Sequence, residues 1–285
     1  MEWTDPVDTT PAPDELLALE QLACDLATEA GRLIVDERPD RLGVAATKST
    51  ATDVVTVMDQ RSEALLRTRL EQQRPDDGLL GEEGGSRQSR SGITWVVDPI
   101  DGTVNYLYGL PAYAVSVAAC VGDVSVSGGW APVAGAVVNP MTDELFHARL
   151  GGGAHLQHAG RSARLAVSGQ TDLSLSLVGT GFGYDAAKRR KQAALVGELI
   201  DQVRDIRRAG SAALDLCSVG AGRLDAYYES GLNAWDQAAG RLVVTEAGGT
   251  VVGRSGGAPD SDLVLAGPQS LVDRLVPVVD ARPLG

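Results

Sequence analysis

The stretch Trp95-Val96-Val97-Asp98-Pro99-Ile100-Asp101-Gly102-Thr103-Val104-Asn105 constrains this chain more than any other. Trp95, Val96 and Val97 suit a pleated, buried surface and predict an interior strand. That strand delivers Asp98 at its end. Pro99 has no N–H to donate, so it is predicted to stop the ladder there. Asp101 follows, and Gly102-Thr103 reads as the entry to a helix whose first N–H groups lack partners. Carboxylates beside a helix start can hold hard cations and a phosphate side by side. The pattern suits metal-assisted phosphoryl chemistry. Asp-Pro and Asp-Gly are also ordinary turn dipeptides, so alone they are explained equally well as loop formers.

Charge narrows the function classes. The chain has 285 residues and a formal net charge of −13, long enough for one large core or two fused halves. A nucleic-acid binder would carry a basic face, whereas the one basic cluster here, Lys188-Arg189-Arg190-Lys191, reads as a solvated helix face. An acidic protein that binds an anionic phosphate needs cations to reverse the local charge. The three cysteines, Cys24, Cys120 and Cys217, fit reduced thiols in the cytoplasm. None has zinc-ligand spacing with His147, His155 or His158. Residues 1–13 are acidic and Pro/Thr-rich, read as a disordered tail, and neither a signal peptide nor a membrane span is expected.

Along the chain, Asp14 is expected to cap a first helix with Leu19, Leu22, Ala23, Leu26, Ala30, Leu33 and Ile34 on one face. A polar loop, 48–53, leads into a second helix that Pro75 ends. Asp53 and Asp59 read at minimum as capping carboxylates. Glu82 and Glu83 lie between glycines, where adjacent like charges repel unless a cation screens them. Glu82 is therefore either part of an exposed acidic turn or a third carboxylate for the Asp98/Asp101 site.

Residues 113–167 read as an antiparallel sheet with a hairpin turn at Gly122-Asp123. The second half, 171–285, alternates strand and helix and predicts an α/β unit. Its expected elements include a strand over 174–178 and a turn at 179–183. A helix is expected to begin near Ser211, with an acid-ended strand at Glu229 and a helix with Asp236 in its first turn. Residues 14–285 are taken as one catalytic unit, with an α+β half over 14–170.

Four blocks, in order, carry a resemblance. Asp53-Val54-Val55-Thr56-Val57-Met58-Asp59, Gly81-Glu82-Glu83, Asp98-Pro99-Ile100-Asp101-Gly102-Thr103-Val104-Asn105 and Trp235-Asp236-Gln237-Ala238-Ala239-Gly240 resemble signatures of the inositol monophosphatases. The resemblance implies the layered α-β-α-β-α sandwich shared with fructose-1,6-bisphosphatases. It also implies dependence on two Mg²⁺ ions with a weaker third, inhibition by lithium, and a homodimer. Glu82, Asp98 and the Ile100 carbonyl would hold the first ion, and Asp98, Asp101 and Asp236 the second. Thr103, oriented by Asp59, would activate the attacking water, supported by Lys48 and Asp53. Gly102 and Thr103 would grip the phosphate. Gly210, Ser211, Ala212, Glu229 and Arg207 would contact the alcohol.

A phosphate dianion repels hydroxide until cations neutralise it, and Mg²⁺ asks for the oxygen ligands this chain offers. The expected reaction is hydrolysis of myo-inositol 1-phosphate by in-line attack of water. Histidinol phosphate, fructose 1,6-bisphosphate and a 3′-phosphoadenosine nucleotide are alternatives within the same chemistry. The nucleotide is disfavoured by an aromatic content of only 4%. A regulatory binding protein on this fold is the alternative from another class.

Overall fold

The computed structural model describes residues 10–50 and 52–282. The expectation for the tail at 1–9 lies outside these residues. The chain opens with α1 (Pro13–Asp36), β1 (Ala46–Thr47), β2 (Val54–Val55), α2 (Val57–Gln73), β3 (Gly78–Gly81), β4 (Ser86–Arg87), β5 (Ile93–Asp101) and α3 (Thr103–Tyr108). Then come β6 (Ala114–Gly122), β7 (Trp130–Asn139), β8 (Glu144–Arg149), β9 (Gly153–His158) and β10 (Arg161–Arg164). The second half holds β11 (Leu177–Thr180), α4 (Ala186–Leu199), β12 (Asp205–Arg207), α5 (Ala212–Gly220), β13 (Ala226–Glu229), α6 (Ala234–Glu246), β14 (Thr250–Val252), β15 (Val264–Gly267) and α7 (Gln269–Asp280).

Besides the two-stranded β1-β2 ribbon, two sheets organise these elements. The larger has eight strands in the order β10-β9-β8-β7-β6-β5-β3-β4, and the smaller five in the order β12-β11-β13-β15-β14. The large sheet is antiparallel except where β3 runs parallel to β5. The small sheet is mixed, with β11 parallel to both β12 and β13. Leu19, Ala23, Leu26, Ala30 and Ile34 of α1 are buried with Leu66 and Leu70 of α2 against one face of the large sheet. Its other face meets Ala238, Ala239 and Leu242 of α6 and Ala213 and Cys217 of α5. The same two helices turn Leu216 and Val244 to the small sheet, whose outer face carries α4 and α7. Helices therefore alternate with sheets in five layers, the α-β-α-β-α order.

Several local expectations are corrected. The first helix starts at Pro13 with Ala12 as its N-cap. Proline's fixed φ suits the first helical position, so Asp14 falls in the first turn and does not cap. Gly122-Asp123 is no two-residue hairpin turn. The connection spans 123–129 and is closed by the Asp123 N–H donating to the Gly129 carbonyl at 2.9 Å. The strand expected over 174–178 begins only at Leu177, because Asp172 caps a short 3₁₀ turn over Leu173–Leu175.

Pro99 does not end its strand. β5 continues to Asp101 through a register shift, with Asp98 opposite Ser116 and Asp101 opposite Ala114. A proline is tolerated at such a bulge because no ladder N–H is required there.

Candidate active site

That bulge builds the site. Residues three apart on a regular strand point to opposite faces. The extra residue between Asp98 and Asp101 resets the alternation, and both carboxylates enter one cavity. Glu82 follows β3, whose last residue Gly81 pairs with Val97, so the parallel register brings Glu82 beside Asp98. Asp236 sits in the first turn of α6, where its Oδ2 accepts the Asn233 N–H at 2.6 Å. Ala239 lies so close to Gly135 that a Cβ there would be 3.2 Å from its Cα. The small residues thus let α6 press onto the large sheet. Asp98, Asp101 and Asp236 each offer an oxygen within 4.8 Å of the others.

Asp101 is anchored from the second half. Its Oδ2 accepts the Ser211 hydroxyl at 2.5 Å and the Ala213 N–H at 2.7 Å, at the start of α5. Asp98 Oδ1 accepts the Ile100 N–H at 3.0 Å. Thr103 Oγ1 lies 3.0 Å from both Asp59 Oδ1 and the Ile100 carbonyl. Asp59 itself closes a capping box on α2 by accepting from Thr56. Lys48 ion-pairs with Glu82 at 2.7 Å and Glu83 at 2.5 Å. The loop bearing the glutamates is held from below, since Glu63 accepts the Glu83 N–H at 2.6 Å.

Protonation reflects crowding. Burial, then the charges of Glu82, Asp101 and Asp236, raises the Asp98 carboxyl well above the usual range. Asp236 is raised by burial, Asp101 and Glu82. Burial lifts Asp101 to about 6 against the pull of Ser211 and the α5 amides. Glu82 rises to about 7 through burial even with Lys48 beside it. Such a set either keeps protons or accepts cations. Its donors are all oxygens, which suits a hard ion such as Mg²⁺ and not a thiolate- or imidazole-seeking one. The residues present therefore fit the implied metal.

The cavity measures about 570 Å³. Ile100, Gly102, Thr103, Gly210, Ala212 and Glu229 line it together with Lys48 and Asp53. Asp53 also shapes its own loop by accepting from Ser49. Burial raises Glu229 to about 7, and Tyr227 donates to it at 2.5 Å.

Two sequence expectations differ from the structure. Arg207 is exposed, pairs with Asp205 at 2.5 Å and does not border the cavity, while Arg208 does. Adjacent residues leaving a strand point opposite ways, so only one arginine of the pair can turn inward. Ser211 is 1% exposed and its hydroxyl is committed to Asp101, so it supports a carboxylate from behind the wall.

Lys188 and Tyr184 also line the cavity, although the sequence marked Lys188 only as part of a solvated helix face and assigned Tyr184 no role. The glycines at 181 and 183 were the available signal. The turn expected over 179–183 is corrected, since β11 runs through Thr180 and the loop begins at Gly181. A Cβ on Gly181 would overlap the Glu229 carboxylate, so that loop must lie against the site.

Comparison with known proteins agrees with this architecture. The model of the Inositol monophosphatase family matches residues 15–282. The chain is 45% identical over 282 residues to the Inositol-1-monophosphatase SuhB of Mycobacterium tuberculosis, covering 93% of this chain and 94% of that protein. The solved structure of Mycobacterium tuberculosis SuhB aligns with a TM-score of 0.79 at 44% identity, covering 94% of this chain and 98% of the other. A more distant relative, 39% identical over 238 residues, is the Nus factor SuhB of Pasteurella multocida, with 83% of this chain and 85% of that protein covered. By sequence and by fold, the chain belongs to the inositol monophosphatase family of enzymes.

Proposed function

We propose that this protein is a Mg²⁺-dependent phosphate monoester hydrolase acting on myo-inositol 1-phosphate. The observation that carries this reading is the convergence of Asp98, Asp101 and Asp236 in one cavity beside the Thr103–Asp59 pair. Glu82, Asp98 and the Ile100 carbonyl would hold one ion. Asp98, Asp101 and Asp236 would hold a second, with Glu82 helping a weaker third. Bound there, the metal supplies neutralising charge and a lowered pKa for water.

The chain's own groups supply position and proton transfer. Thr103 Oγ1 orients the attacking water, and Asp59 Oδ1 is the acceptor for the proton that Thr103 relays. Burial raises Asp59, against hydrogen bonds from Thr56 and Thr103, which makes it a better base. The amides at Gly102 and Thr103 bind a phosphate oxygen. Glu229 reads alcohol hydroxyls, and Gly210 and Ala212 border the same space. Lys48 holds Glu82 in place and Asp53 shapes the loop beside it. Both halves of 14–285 contribute to the cavity, which supports a single catalytic unit. Family membership carries the expectations of lithium inhibition and a homodimer. The three buried free cysteines fit a reducing cytoplasm.

Arg208 and Lys188 favour a second reading within the same chemistry, a substrate with a second anionic group such as fructose 1,6-bisphosphate. Relative kcat/KM values on a panel of phosphate monoesters, with Mg²⁺ and with or without Li⁺, separate the two. Inositol 1-phosphate is expected to lead, with Li⁺ suppressing turnover. Inertness on the whole panel would overturn the hydrolase reading and favour a binding role, the class suggested by the name of the Pasteurella relative.

A further inference from the structure

On the face of the large sheet that packs against α1, three metal-ligating side chains meet away from the acidic cavity. His147 on β8 and His155 on β9 are direct cross-strand partners. Their rings stack with centroids 5.4 Å apart. Glu20, buried on α1, places Oε1 2.7 Å from His147 Nδ1. One carboxylate oxygen and one nitrogen from each ring lie within 4.8 Å of one another. We propose that Glu20, His147 and His155 form a second metal site, selective for a zinc-class transition ion over Mg²⁺.

Three observations support it. First, His155 Nδ1 is buried with no hydrogen-bond partner. A buried unpaired polar atom is costly, on the order of 1–3 kcal/mol, and a metal would satisfy a nitrogen lone pair. Second, the donor set is two imidazoles and one carboxylate, the class that zinc and its neighbours take. Ligands at zinc bond lengths in a tetrahedron sit roughly 3.3 Å apart, so Glu20 Oε1 and His147 Nδ1, 2.7 Å apart, need part only slightly to admit the ion, with the His155 nitrogen within 4.8 Å of both. Third, a cavity of about 270 Å³ lined by Leu17, Gln21, Cys24 and Ser162 opens onto the same three residues.

The surrounding groups are compatible with occupancy. Arg149 donates to Glu20 Oε2 at 2.5 Å, so Oε1, which meets His147 Nδ1, is the oxygen a cation takes once the proton between them moves to Nε2. Gln157 Nε2 lies 3.1 Å from His147 Nε2. Turning that amide over lets its oxygen accept from Nε2 when Nδ1 binds metal, a usual arrangement behind a ligating histidine. Burial, with the nearby His147, lowers His155 and keeps its ring neutral. Burial pushes the Cys24 thiol up to about 12, so the ligand set rests on the other three.

The test is calorimetric titration of the full chain with Zn²⁺ in saturating Mg²⁺, which occupies the acidic cavity. One equivalent is expected to bind. Its affinity should fall at least tenfold in His155→Ala and in Glu20→Gln, while Mg²⁺-dependent phosphate release by His155→Ala stays at the wild-type rate. Equal binding by wild type and His155→Ala would overturn the assignment, as would no binding at all. Should either variant fail to fold, Co²⁺ absorption of the wild-type protein decides. An imidazole-bound tetrahedral ion gives an intense visible band, and a weak octahedral spectrum would reject the site.

Discussion

Glu20 and Asp98 are both buried carboxylates packed on the large sheet, yet their surroundings move their protonation in opposite directions. Burial alone would raise Glu20, but hydrogen bonds and charge from His147 and Arg149 override it and hold the group below its ordinary value. Asp98 has other acids for neighbours, and burial plus their repulsion raises it. An acid matched by the protein's own bases stays ionised without help from a cation. Acids gathered without matching bases are a binding site for charge from outside.

Exchanging charge for amide at the two positions is the strongest way to break this contrast. Asp98→Asn should lower kcat by about 10³-fold while leaving the melting temperature of the cation-free protein unchanged or higher. A stopped phosphate-release assay and a thermal melt read both, and retained turnover would remove Asp98 from the mechanism. The metal-free wild type should also respond to pH. Asp101 and Glu82 have folded values of about 6 and about 7, above their ordinary ones. Their protonated forms therefore stabilise the fold at low pH, and that contribution is lost as pH rises through 6–7. Melting temperature should fall from about pH 5 to about pH 8, and Mg²⁺ at a hundredfold excess over its Kd should restore about 2.7 kcal/mol. A flat profile in EDTA would contradict the crowding of these acids.

At the matched site the outcome inverts. Glu20→Gln should cost about 2 kcal/mol of stability, discounted from a fully buried pair because Arg149 is partly exposed, with kcat unaltered. Chemical denaturation checks the first and the activity assay the second. The smallest effect separates the two arginines. Arg208→Ala should raise KM about tenfold, equivalent to about 1.4 kcal/mol, and Arg207→Ala should leave kinetics unchanged. The reverse order would restore Arg207 as the substrate contact.

Much of the acidic cavity was readable from residue types. Glycine-flanked Glu82, Asp98 at a strand end and Asp236 in a first helical turn mark themselves, because each lies in a short local pattern with a distinct backbone requirement. Pro99 misled for a physical reason. Its missing N–H forbids a ladder bond, but a bulge needs none, and only the pairing with β6 reveals one. The Glu20, His147 and His155 cluster left no trace in spacing, since its carboxylate and histidines lie more than a hundred residues apart. Arg207 and Arg208 are chemically equivalent in sequence, and the orientation of β12 chose between them.

Composition, hydropathy period and motif order thus determined most element types and singled out the carboxylates that the fold gathers, because those depend on interactions within a few residues. The tertiary structure alone decided which side chains share a cavity. Parallel pairing of β3 with β5, the bulge at Pro99 and the close seat of α6 on Gly135 are long-range contacts. Their geometry follows from packing that no local window contains.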